Sequence, residues 1–131
     1  MGALKLLLDT HAFYWWHTGD RALSAKAHAA ISNERNEKHV SAITAWEFIA
    51  KFRSGKEPGF SAIAADVAGA IAAQGLTELA ISLRHAEVAA NLPLHHKDPM
   101  DRLLIAQALV EDMTIITADG AFTSYGAKLL W

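Results

Sequence analysis

The run Leu4-Lys-Leu-Leu-Leu8, closing on Asp9, constrains this chain more than any other stretch. It has the length of a strand and, apart from Lys5, does not alternate between apolar and polar residues. A strand with one wet face alternates, whereas a strand covered on both faces reads as a near-continuous apolar run. The run therefore asks for a parallel sheet with helices above and below it. A bare acid at its end is out of place unless it is paired or used.

The rest of the chain supplies what such a sheet needs. Residues 39–43, 78–82, 114–117 and 128–131 read as further short strands. Residues 24–36, 46–53, 61–74 and 101–111 have helical spacing, and another helix begins at Ser82 or Leu83 and ends before Pro93. Ser24 and Ser61 are placed as N-caps, and Gly55 and Gly75 as helix stops. Strands alternating with helices predict an α/β fold around a parallel sheet. A chain of 131 residues with no internal repeat or linker predicts a single domain over 1–131.

Composition removes several classes. The chain is 52% apolar and 20% charged, which is globular rather than disordered. It has no cysteine, so disulfides and thiolate metal sites are excluded, and a reducing, cytoplasmic setting is expected. No apolar run reaches the roughly 18 residues of a membrane span. The Met1 to Leu8 stretch meets Asp9 too early for a secretion signal, and Gly2 is not followed by the Ser or Thr at position 6 that myristoylation needs. Net charge is −2, with 14 acids against 12 Lys and Arg. That balance argues against a nucleic-acid binder only if the acids are spread evenly. Without Asp9, Glu47, Asp101 and Asp119 the remainder is net positive.

Those acids share a place. Asp9 and Asp119 follow strand-like runs, while Glu47 and Asp101 belong to helices that begin where strands end. In open parallel sheets, ligands bind outside the carboxyl ends of the strands. Two carboxylates about 5 Å apart repel by roughly 3 kcal/mol at an effective dielectric near 20, so such a cluster wants a cation. Oxygen-only ligands suit Mg²⁺ or Mn²⁺ rather than zinc. Such an ion orients a water and lowers its pKa, which points to phosphodiester hydrolysis. The sequence leaves open whether Glu47 or Asp119 positions that water.

Each acid also has an ordinary reading. Asp98 before Pro99 is a good N-cap, and Asp101 falls in the first turn, where the helix dipole favours a carboxylate. Asp119-Gly120 is a turn signal. Glu47 alone reads as a solvated helix residue. Asp9 is hardest to explain away.

Four stretches resemble the PIN-domain nucleases, in particular the VapC-type toxins of VapBC type II toxin–antitoxin systems. They are Leu6-Leu-Leu-Asp-Thr-His-Ala12, Ser41-Ala-Ile-Thr-Ala-Trp-Glu47, His96-Lys-Asp-Pro-Met-Asp-Arg-Leu-Leu-Ile-Ala-Gln-Ala108 and Thr117-Ala-Asp119. They run in the family's order over nearly the whole chain. Met100 stands where Phe is more usual, a volume-tolerant change. The resemblance implies a three-layer α/β/α sandwich and a Mg²⁺- or Mn²⁺-dependent endoribonuclease. It implies Asp9, Glu47, Asp101 and Asp119 as the metal-binding, catalytic quartet, with Thr117 in support and Asp98 in a less settled role. It further implies a homodimer held in check by a VapB-type antitoxin, whose tail covers the acidic cleft with an Arg or Lys. The aromatic run Phe13-Tyr14-Trp15-Trp16 is either surface for that partner or core.

Lys51, Arg53 and Lys56, with Arg102 beside Asp101, are candidates to hold RNA phosphates at a cleft rim. Arg102 could instead neutralise a neighbouring acid. His95-His96 lacks further His or Cys at a zinc-site spacing and reads as loop. His11 follows Asp9 closely enough to approach the site. A haloacid-dehalogenase-type phosphotransferase needs an acid where His11 stands. A response-regulator receiver needs paired acids ahead of the first strand's Asp, and neither a Walker nor a dinucleotide glycine motif occurs. The remaining alternative is a silent PIN-like module that binds RNA or a protein without cleaving.

Overall fold

The computed structural model describes residues 3–95 and 97–131. His96 of the His-His pair and the Met1-Gly2 start lie outside the described residues. Strands β1 (Lys5–Leu8), β2 (Glu37–Ser41), β3 (Thr77–Leu79), β4 (Thr114–Ile116) and β5 (Lys128–Leu130) form one sheet in the order β3-β2-β1-β4-β5. Every pairing is parallel, with Leu7 opposite His39 on one side and Ile115 on the other. The helices are α1 (Thr10–Thr18), α2 (Ala25–Ser32), α3 (Ala42–Arg53), α4 (Ser61–Ala65), α5 (Val67–Ala73), α6 (Leu83–Asn91) and α7 (Pro99–Glu111). Short 3₁₀ turns cover Pro58–Phe60 and Gly120–Tyr125.

The unalternating β1 run is explained by two cores. Leu6 and Leu8 point to one face, where they pack with Phe13, Ile31, Phe48, Phe60 and Ile71. Leu7 points to the other, with Ile43, Leu104, Ile105 and Phe122. All three leucines are fully buried, as a central strand between two helical layers requires. The molecule is thus an α/β/α sandwich. Lys5 reaches past the sheet end to the Glu111 carbonyl at 2.9 Å.

Several boundaries differ from the sequence reading: the helix expected over 24–36 stops at Ser32, β2 begins at Glu37, α3 begins at Ala42, α7 begins at Pro99, and Ser61 lies inside α4 without capping it. Three further differences have a clear local reason. The second strand ends at Ser41, not at Ile43, because the Ser41 hydroxyl accepts the Ile43 N–H at 3.1 Å and starts α3 there. The 61–74 helix is two helices. Asp66 leaves helical geometry (φ −158°, ψ 80°) and its carboxylate accepts the Gly69 N–H at 3.0 Å, capping α5 instead of continuing α4. Any Cβ on Gly69 would collide with that carboxylate, so glycine suits the position. The third strand stops at Leu79, since this edge strand pairs only with His39–Ser41 of β2.

Candidate functional site

The strand order reverses direction at β1. From there the chain goes to β2 and β3 on one side and to β4 and β5 on the other. Such a switch point opens a crevice at the carboxyl ends of the strands. A cleft of about 470 Å³ lies there, lined by Asp9, Glu47, Asp98, Asp101 and Asp119 among others. Acids from four distant stretches therefore share one cavity, as the strand-end argument expects.

Asp9 leaves β1 and caps α1. Its backbone N–H donates to the Ile116 carbonyl at 3.1 Å, tying it to β4. Its Oδ1 accepts the Ala12 N–H at 2.8 Å. Burial pushes its pKa above the usual carboxylate range and the negative charge of Glu47 pushes the same way; hydrogen bonds from Thr117 and Ala12 and the nearby His11 oppose the rise. Thr117, buried just past β4, joins two acids. Its hydroxyl hydrogen-bonds Asp9 and accepts the Asp119 N–H at 3.0 Å. Asp119 is exposed and also caps the following 3₁₀ turn through the Ala121 N–H at 2.9 Å.

Glu47 is half-buried on α3 and held on both oxygens. Thr10 donates to Oε1 at 2.9 Å, and Lys51 Nζ lies 3.4 Å from Oε2. Thr10, directly after Asp9, was not singled out by the sequence reading. Its partner is 37 residues away, and no local rule reveals such a pair. Asp98 caps α7 through the Met100 N–H at 2.9 Å, and Asp101 follows in the first turn, half-buried at the cleft. The cleft wall is completed by His11, Trp15, Leu104 and Phe122.

Arg102 does not stand at the rim. It is buried, and its guanidinium donates to the carbonyls of Ala89, Leu92 and Pro93 at 2.8, 2.8 and 2.9 Å. It satisfies the C-terminal end of α6, where a cation also complements the helix dipole. Of the other candidate cations, Lys51 lines the cleft, whereas Arg53 borders a shallow groove with Trp46, Ile49 and Ala50.

Among the described residues, no three His, Cys, Asp or Glu side chains are packed tightly enough to grip one ion. The donor chemistry nevertheless fits a hard cation. The ligands on offer are carboxylate oxygens, one of them desolvated and pushed toward protonation by burial and by Glu47. Mg²⁺ is commonly held by one or two carboxylates while keeping several waters, so a tight protein cage is not required.

The fold and cleft together define an α/β/α protein with a carboxylate-lined crevice at the switch point of a parallel sheet. The PIN domain family model matches residues 6–128, and the chain belongs to that family. No curated protein matches it in sequence. Among solved structures, it is similar to VapBC2 from Rickettsia felis bound to a promoter DNA fragment (TM-score 0.68, 14% identity, covering 97% of this chain and 98% of that one). It is likewise similar to FitAcB from Neisseria gonorrhoeae (0.67, 17%, 96% of each) and to VapBC-1 from nontypeable Haemophilus influenzae (0.65, 14%, 97% of each). At these identities the likeness speaks to the fold. Among the described residues, no helix is long and apolar enough to cross a membrane.

Proposed function

We propose that this protein is a Mg²⁺- or Mn²⁺-dependent endoribonuclease and the toxin of a type II toxin–antitoxin pair. One observation carries the reading: Asp9, Asp101 and Asp119, with Glu47, come from separate parts of the chain and line one cleft at the sheet's switch point. Membership in the PIN family supports a nuclease. The toxin role is supported by folds shared with proteins described as VapBC and as a toxin–antitoxin complex from Klebsiella pneumoniae. A VapB-type antitoxin and a homodimeric assembly belong to the same proposal.

Asp9, Glu47, Asp101 and Asp119 would hold the ion. When bound, it would supply Lewis-acid activation of water and neutralise charge developing on the phosphoryl oxygens. The chain's own residues do the rest. Thr117 keeps Asp9 and Asp119 in register through its shared hydroxyl. Thr10 fixes the Glu47 carboxylate, and Lys51 places a positive charge beside it, where a phosphate oxygen can also be met. Leu104 and Phe122 supply apolar surface to the wall of the cleft.

The test is cleavage of RNA with Mg²⁺ or Mn²⁺, with Asp101→Asn as the control. The wild type is expected to cut and to stop on chelation, and the variant to lose at least 100-fold, the order seen when one charge-stabilising group is removed. Equal activity in the variant would assign the cleavage to a contaminant. A wild type that binds RNA without cutting it under either metal would leave the silent module in place.

A further inference from the structure

The cleft is larger and less polar than an ion site requires. One wall carries the indole of Trp15 and the imidazole of His11, with ring centroids 5.5 Å apart and planes tilted by 44°. Trp15 is half-buried. Trp131 backs it at 5.7 Å, and it packs on the core that holds Leu6 and Phe13, so the ring is held in place while part of it remains in the cleft. His11 is fixed in turn by Glu57, 3.3 Å from its Nε2, and by the Phe60 ring at 5.9 Å. An aromatic wall beside half-buried and exposed carboxylates has no part in holding a cation. It matches the flat, apolar face of a nucleobase. Unstacked bases are commonly received on Trp, Tyr, Phe or His rings, and each such contact contributes about 1–3 kcal/mol.

We propose that Trp15, supported by His11, is a substrate-binding residue that stacks one nucleobase adjoining the scissile phosphate. The inference rests on the nuclease reading. Asp9 and Trp15 both belong to the β1–α1 unit, Asp9 as its cap and Trp15 within the helix, so a nucleotide whose phosphate reaches the acids has its base within the same cleft as the indole. Contact is to a ring face and not to hydrogen-bonding edges, so the wall fixes where the strand is cut while tolerating several base identities. A protein side chain could fill the same wall. RNA is favoured because the rings share their cavity with the proposed hydrolytic acids rather than lying on an outer face.

The experiment begins by mapping the cut made by the wild-type protein in a mixed-sequence RNA. Abasic nucleotides are then placed singly on either side of that phosphate. One of these positions should lower wild-type kcat/KM by about 10- to 100-fold, and the other by much less. Trp15→Ala should lose a similar factor on the intact RNA, Trp15→Phe should keep most activity, and the abasic RNA should cost Trp15→Ala little more. Binding of labelled RNA to the Asp101→Asn protein, with and without Trp15→Ala, reads the same contact without cleavage. If the wild type cuts and neither abasic position matters, the inference is overturned and the nuclease reading stands. If Trp15→Ala weakens only an antitoxin complex, the indole serves a protein and the inference is equally overturned. If no RNA is cut at all, the nuclease reading falls first. The abasic series on wild-type protein decides the matter even if Trp15→Ala does not fold.

Discussion

Asp9 ionises against its surroundings. Burial is the main cause of its raised pKa, and Glu47 adds to it. The folded protein therefore takes up a proton at a higher pH than the unfolded chain does. Between the ordinary carboxylate value and the raised one, the native state binds more protons, so this group makes stability fall as pH rises. Ionised Asp9 thus costs stability at neutral pH, and the cost fades as the solution is acidified through its raised pKa. Asp9→Asn keeps a residue that caps helices well and removes the charge. Without metal, the variant should melt above wild type at pH 7, with the gap closing toward acidic pH, while RNA cleavage is lost. Thermal melts across that pH range decide it: a variant that melts lower at pH 7 would mean the carboxylate's hydrogen bonds with Thr117 and Ala12 outweigh its desolvation.

Between elements, Gln107 is the joint. It is fully buried on α7, and its Oε1 accepts from the Ser41 hydroxyl at 2.6 Å, at the start of α3. Its Nε2 donates to the Ala80 carbonyl at 3.3 Å and lies 3.4 Å from His85 Nδ1. That nitrogen accepts the Ser82 N–H at 3.0 Å, so the ring proton sits on Nε2, facing Glu111 at 2.8 Å. This chain of bonds couples α3, which carries Glu47, to α7, which carries Asp101. Gln107→Leu should cost about 2 kcal/mol by leaving buried partners unmet, and Ser41→Ala about 1–2 kcal/mol. Because they share one bond, the double variant should fall short of the sum by about 1 kcal/mol. Urea midpoints measure this, and strict additivity would show the bond contributes nothing. The joint also marks what sequence could and could not yield. Leu4 to Asp9 and the Asp98-Pro99 helix start were legible because period and capping are local. The α3 start was misplaced by the apolar look of Val40 to Ile43, although Ser41 was the cap in plain view. The break at Asp66 was hidden because an alanine-rich run masks a side-chain cap. Arg102 could not be placed, because the carbonyls it serves belong to the end of another helix.

At the scale of the whole molecule, Asp9, Glu47, Asp98, Asp101 and Asp119 are gathered at one edge of the sheet. The parallel sheet sends every strand's carboxyl end to the same side, so acids that are scattered in sequence become neighbours there. Sheet order is not written in any local pattern, yet it decides which of those ends flank the crevice: β1 and β4 do, joined by Asp9 to Ile116. A fold that gathers repelling charges is one that a bound cation stabilises as a unit. Ligand at 100 times its Kd adds about 2.7 kcal/mol to folding, and for a domain of this size that raises Tm by on the order of 10 °C. Titrating Mn²⁺ or Mg²⁺ into chelator-treated protein should therefore lift Tm progressively, and chelator should reverse it. The lift should shrink in Asp101→Asn and in Asp9→Asn, whose metal-free baseline is already higher. A Tm indifferent to both metals, or raised as much in both variants as in the wild type, would show that the cleft's charges do not share an ion.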